Sequence, residues 1–67
     1  MNSKAETFMR REQVEAATGL ARSTIYELMD KGDFPKSVKI GARAVGWRGS
    51  EIQEWIYNKI KQSRGAA

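Results

Sequence analysis

Two glycines, Gly19 and Gly32, set the strongest constraint on how this chain folds. Between these helix breakers there is room for one short helix and little else. At about 100° per residue, Ala21, Ile25, Leu28 and Met29 fall on one side of it. Ser23, Tyr26, Glu27 and Asp30 fall on the other, with Arg22 on the flank near the start. Upstream, Arg11 to Thr18 has the pattern of a first helix, with Val14, Ala17 and Thr18 on one face and Glu12, Glu15 and Ala16 turned outward. Gly19 suits its end, where the backbone often needs a positive φ, and Leu20 then drops into the core between the two helices. Two short helices joined through a glycine turn, the second led by Arg, Ser, Thr and Tyr, make the pattern of a helix-turn-helix with its recognition helix. The first turn of that second helix holds Arg22, Ser23 and Thr24 and no acidic residue, which suits a helix start facing phosphate.

Pro35 prevents any continuation past Gly32. Val38 and Ile40 alternate with Ser37 and Lys39, and Val45 and Trp47 alternate with Ala44 and Gly46. Two such period-2 runs around Gly41-Ala42-Arg43 predict a β-hairpin, a wing with Lys39 on one arm, Arg43 at the tip and Arg48 just past the end. Ser50-Glu51-Ile52-Gln53 then matches a capping box, opening a last helix from about Glu51 to Ser63. Ile52, Trp55, Ile56 and Ile60 lie at helical spacing and should close the core, while Glu51 and Glu54 at the start and Lys59 and Lys61 at the end suit the helix dipole. Phe8-Met9 is too short to classify; it adds a strand residue or caps the core. The expected fold is mainly α with a small β-hairpin: a winged helix-turn-helix of three helices plus a two-stranded wing. It spans residues 8–63, between a disordered N-terminal tail, 1–7, and a C-terminal tail, 64–67.

Composition limits the chemistry. The 67 residues make one small domain, marginal in stability. With no cysteine there is no disulfide framework or thiolate metal site, and with no histidine the usual general base is missing. Ser23 and Tyr26 can be named as nucleophiles, but nothing clusters to activate them, so no catalytic residue, metal site or cofactor is expected and the chain is not read as an enzyme. Twelve Lys and Arg against eight Asp and Glu give a net charge of +4, which favours a polyanionic partner without deciding the matter. No apolar run approaches the roughly 20 residues that span a bilayer, so no membrane partner is expected. Met1 to Thr7 is polar, unlike a signal or transit peptide.

The candidate interface is therefore one for double-stranded DNA. Arg22 is placed to meet a guanine edge bidentately or to pair with a phosphate. Ser23 and Thr24 can donate to phosphate or a base edge, or else only cap the helix. Tyr26 points outward beside the groove. Glu27 either reads a cytosine amine or pairs with Lys31. Arg43, with Lys39 and Arg48 flanking, lies along the backbone or enters a minor groove, although wing charges also guard a strand edge. Arg10 and Arg11 open the first helix, where phosphates often lie. Trp47 and Trp55 are in register with apolar neighbours and are assigned to the core rather than to base stacking, and Phe34 to the turn between helix and wing. Tyr57, Asn58 and Lys61 are candidate contacts between copies.

Arg11, Val14, Thr18-Gly19-Leu20 and Arg22-Ser23-Thr24-Ile25-Tyr26 together resemble the AlpA family of small phage and prophage regulators. Phe34-Pro35-Lys36, Val38-Lys39-Ile40-Gly41, Arg43-Ala44-Val45-Gly46-Trp47, Ser50-Glu51-Ile52 and Trp55-Ile56 continue the resemblance, which covers roughly Phe8 to Ile60. Thr-Gly-Leu alone is common; Arg-Ala-Val-Gly-Trp followed by Ser-Glu-Ile and Trp-Ile is the most specific part. Ala21 stands where the family commonly has Ser, and Gln13 where it commonly has Glu. The resemblance implies a winged helix related to MerR-type and excisionase domains, acting in the bacterial cytoplasm on the nucleoid. It further implies a sequence-specific transcriptional regulator of phage or prophage type. The first alternative is an excisionase, a recombination directionality factor that bends attachment-site DNA. The second, from another class, is a protein-interaction module such as an antitoxin or adaptor. Expected partners are double-stranded DNA, further copies of the chain on adjacent sites, and integrase or RNA polymerase.

Overall fold

The computed structural model of the chain describes residues 6–65. In chain order the elements are β1 (Phe8–Met9), α1 (Arg11–Thr18), α2 (Arg22–Asp30), β2 (Val38–Gly41), β3 (Ala44–Arg48) and α3 (Gly49–Gly65). The sheet is antiparallel with strand order β1-β3-β2. The expected hairpin is its β2–β3 half. The pair Phe8-Met9 supplies a third strand, with Phe8 opposite Arg48 and Met9 opposite Trp47.

Five segments each give one side chain to the core: Val14 from α1, Ile25 from α2, Phe34 from the α2–β2 connection, Trp47 from β3 and Ile52 from α3. Met9, Leu20, Leu28, Met29, Trp55 and Ile56 pack around these. Trp47 is fully buried and is the largest of the core side chains. Replacing such a ring with alanine typically costs about 3–5 kcal/mol, comparable to all that a core of this size supplies.

The two glycines act as the sequence predicts. Gly19 has φ 76° and Gly32 has φ 80°, left-handed conformations that side chains disfavour. The Gly19 N–H donates to the Glu15 carbonyl at 2.7 Å, closing α1. Thr18 Oγ1 donates to the Val14 carbonyl at 2.8 Å and accepts from the Leu20 N–H at 3.2 Å, which directs the chain into the turn. Gln13 reaches back to accept the Arg10 N–H at 2.8 Å, so Gln serves at the N3 position where Glu is the commoner choice. Ala17, expected on the buried face, is exposed. The short α1 meets the core through Val14 alone, and Ala17 lies off that line.

Two boundaries differ from expectation. α3 begins at Gly49, not Glu51, and Ser50 does not cap it. Glu6 does so instead: its carboxylate accepts the Ser50 N–H at 3.1 Å and the Ser50 hydroxyl at 2.8 Å. The Gly49 N–H donates to the Thr7 carbonyl at 2.8 Å, and a Cβ at Gly49 would lie 2.9 Å from Thr7 Oγ1. Glu6 and Thr7, assigned to a tail, are thus anchored at the β3–α3 junction. Residues 1–5 of that expected tail lie outside the described residues, as do 66 and 67 of the C-terminal one, while α3 continues through Gly65. Among the described residues no helix is long and apolar enough to cross a membrane.

Candidate nucleic-acid interface

α2 presents Arg22, Ser23, Tyr26, Glu27 and Asp30 to solvent, while Thr24 is half-buried and Ile25 is in the core. Nine residues give it a length of about 13 Å, enough to lie along one groove of a duplex. The Arg22 guanidinium carbon sits 6.0 Å from the Tyr26 ring centroid, one helical turn away. Tyr26 in turn meets Trp47 edge-on, with centroids 6.3 Å apart and the planes at 65°. Through this contact one side chain of the exposed face of α2 reaches the wing strand β3.

The strand register shows which side of the wing adjoins α2. Lys39 pairs with Val45, two residues out from Trp47 on β3. Paired residues of an antiparallel ladder share a face, and residues two apart on a strand share it too. Lys39 and Val45 therefore extend the face that carries Trp47 and touches Tyr26. Arg43 is exposed in the β2–β3 turn. The opposite face carries Phe8, Val38, Gly46 and Arg48 by the same register.

Two of the arginines expected at the interface are placed otherwise. Arg48 lies on that opposite face, where its Nη2 and Nε donate to Glu6 Oε1 at 3.1 and 3.3 Å and its Nη1 lies 3.5 Å from Glu51. These contacts tie the segment before β1 to the first turn of α3. Arg11 is one-third exposed, with Nε donating to Glu15 Oε2 at 3.0 Å and Nη2 3.5 Å from Glu12. The Glu15 hydrogen bond is the main cause that holds its pKa above the ordinary value; partial burial works against it, and the Glu12 and Glu15 charges add to it. Arg11 thus spends its charge on α1. Helical spacing turns Glu15 outward, and it is this i, i+4 pairing with Arg11 that the sequence pattern leaves unmarked.

Trp47 and Trp55, expected in the core, and Phe34, expected at the turn, also shape the surface, and Lys36, which the sequence pattern gives no role, adds to it. The Trp47 indole donates to the Pro35 carbonyl at 3.0 Å, and the Trp55 indole donates to the Asp33 carbonyl at 2.8 Å. Phe34, between them, meets Trp55 edge-on at 4.8 Å. The loop leaving α2 is held from two sides, between α2 and the wing. Lys36, on the same loop, lines a shallow depression of about 260 Å³ with Tyr26, Met29 and Asp30. It adds a cation beside the exposed face of α2. The signal was present in Phe34-Pro35-Lys36, but no periodicity marks a loop residue as interfacial. Among the described residues no group of three His, Cys, Asp or Glu could hold a metal ion.

A short helix pair, a second helix with a polar outward face, and a hairpin whose inner face adjoins it define a winged helix-turn-helix protein. The family described as Prophage CP4-57 regulatory protein (AlpA) matches residues 7–60, and the chain belongs to that family. A relative from Enterobacteria phage P4, the uncharacterized protein ORF88, is 46% identical over 55 residues, covering 82% of this chain and 62% of its own length. The DNA-binding transcriptional activator AlpA of Escherichia coli K12 is 35% identical over 66 residues, covering 90% of this chain and 94% of its own. The chain thus spans about three-fifths of the phage protein and nearly all of the bacterial one.

Proposed function

We propose that this chain is a sequence-specific double-stranded DNA-binding regulator of transcription that places α2 in the major groove and the β2–β3 wing on the backbone or in the minor groove. The observation that carries the reading is the Tyr26–Trp47 contact, which joins the polar face of α2 to the wing face bearing Lys39. Membership of a family with a DNA-binding transcriptional activator among its relatives supports it. Arg22 supplies base readout, Ser23 and Tyr26 contact phosphate or a thymine methyl, and half-buried Thr24 mainly supports the helix start. Lys39, Arg43 and Lys36 supply backbone affinity. Arg48 and Arg11 act through the fold. Such a protein works in the bacterial cytoplasm, at sites where integrase or RNA polymerase also bind, and one copy covers so little DNA that specific sites need several.

A salt-varied gel shift on the DNA upstream of its own gene and on any neighbouring attachment site tests this. If about four to six phosphates are neutralised, log affinity should fall with log salt at a slope of about −4 to −5. Arg22→Ala should lower specific affinity about tenfold to a hundredfold. Arg43→Ala should weaken all sequences alike and reduce the slope by about 1. A slope near zero would sink the reading. The bound fragment also names the output: an upstream site means transcription, and a bent attachment site means excision.

A further inference from the structure

The C-terminal half of α3 belongs to neither the core nor the surface described above. Every residue from 57 to 65 is exposed. Tyr57 and Ile60 are the two most exposed large apolar side chains on α3, at 60% and 48%. They are i, i+3 neighbours, and helical spacing places Gln53 and Arg64 on the same stripe, with Glu54 and Lys61 along its edge. The Lys61 ammonium lies 5.3 Å from the Tyr57 ring centroid, so the cation and the ring are presented together. The charge of the stripe is polarised: Glu54 lies before the apolar pair, and Lys61 and Arg64 after it. None of these three takes part in an ion pair among the described residues. The helix dipole accounts for that order of charges, but it gives no reason for two large apolar side chains to stand uncovered between them.

Charge complementarity selects the occupant. A second α3 laid parallel would set Glu54 against Glu54 and Lys61 against Lys61. Laid antiparallel, it sets Glu54 of each copy against Lys61 of the other and brings both Tyr57–Ile60 pairs together at the centre. We infer that this stripe is the contact between two copies of the chain, with their α3 helices antiparallel. The arrangement is two-fold symmetric, since each copy offers the same patch. A core of two apolar side chains per copy is far below the roughly 800 Å² per partner of a stable dimer. Free chains therefore pair weakly, and pairing becomes strong where DNA holds two copies at high local concentration. The surface does not depend on the DNA-binding reading. One consequence does rest on it: two-fold pairing inverts the second recognition helix, so paired half-sites form an inverted repeat.

Sedimentation equilibrium of the full chain without DNA, at low salt, tests the pairing separately from DNA binding. Wild type, Glu54→Lys, Lys61→Glu and the double variant are compared, with circular dichroism to show that helix content is unchanged. Each single reversal should weaken association about tenfold, because two symmetry-related pairs turn repulsive at once. The double variant should return to within about twofold of wild type. Reversals that leave association unchanged, a double variant that fails to recover, or a wild-type chain monomeric up to about 1 mM would each overturn the inference.

Discussion

Glu6 shows how much one side chain can organise in a domain this small. Its carboxylate accepts from the Ser50 backbone, the Ser50 hydroxyl and the Arg48 guanidinium, at the end of a helix where negative charge is favoured. The Ser50 N–H, then its hydroxyl, then Arg48 hold the carboxyl below its ordinary value of 4.5. A depressed folded-state pKa contributes stability above the unfolded value, which is lost as pH falls through the folded one. Glu6→Gln should therefore be less stable than wild type at pH 7, and the gap should narrow steadily below pH 4.5. Urea melts at pH 7 and pH 3 check this, and a gap independent of pH would refute it. None of this was legible in the sequence, where a lone Glu in a polar leader carries no periodic signal. The same contact orients Arg48: its position at the end of a wing strand suggests DNA, but strand alternation and an acid from the far end of the chain decide which way it faces.

At the scale of the elements, local sequence was enough where local chemistry decides the outcome. α1 has the predicted bounds because Gln13 and Gly19 close its two ends. The hairpin follows from two alternating runs, although the irregular register between Lys39 and Gly41 was not visible in them. The start of α3 could not be located, because a distant carboxylate replaces the local cap that Ser50 and Gln53 promised. α2 is the least supported element. Its N-cap is Ala21, in extended conformation at φ −77° and ψ 160° with no side-chain hydrogen bond. A hydroxyl there would accept one of the orphan N–H groups of the first turn, worth about 1 kcal/mol. Ala21→Ser should accordingly raise the melting temperature by about 4–8 °C, readable by thermal circular dichroism. An unchanged melting temperature would mean that another group already satisfies those donors.

For the whole molecule, the Glu6–Ser50 contact joins residues 44 apart in sequence. The described chain is thus a ring closed near one end. The helix pair, α1 and α2, and the β2–β3 hairpin are local and can form early, whereas β1 needs a finished β3 and the first turn of α3 to dock against. A nascent chain would hold an incomplete sheet until Ser50 cleared the ribosome. In a chevron experiment, Glu6→Gln should speed unfolding while leaving the folding limb nearly unchanged, since the clasp closes after the barrier. A variant that slowed folding instead would place the N-terminal strand in the nucleus. A clasp that closes last gives kinetic persistence: the last contact to form is the first that must break, so such a clasp lengthens the time the native fold survives between unfolding events.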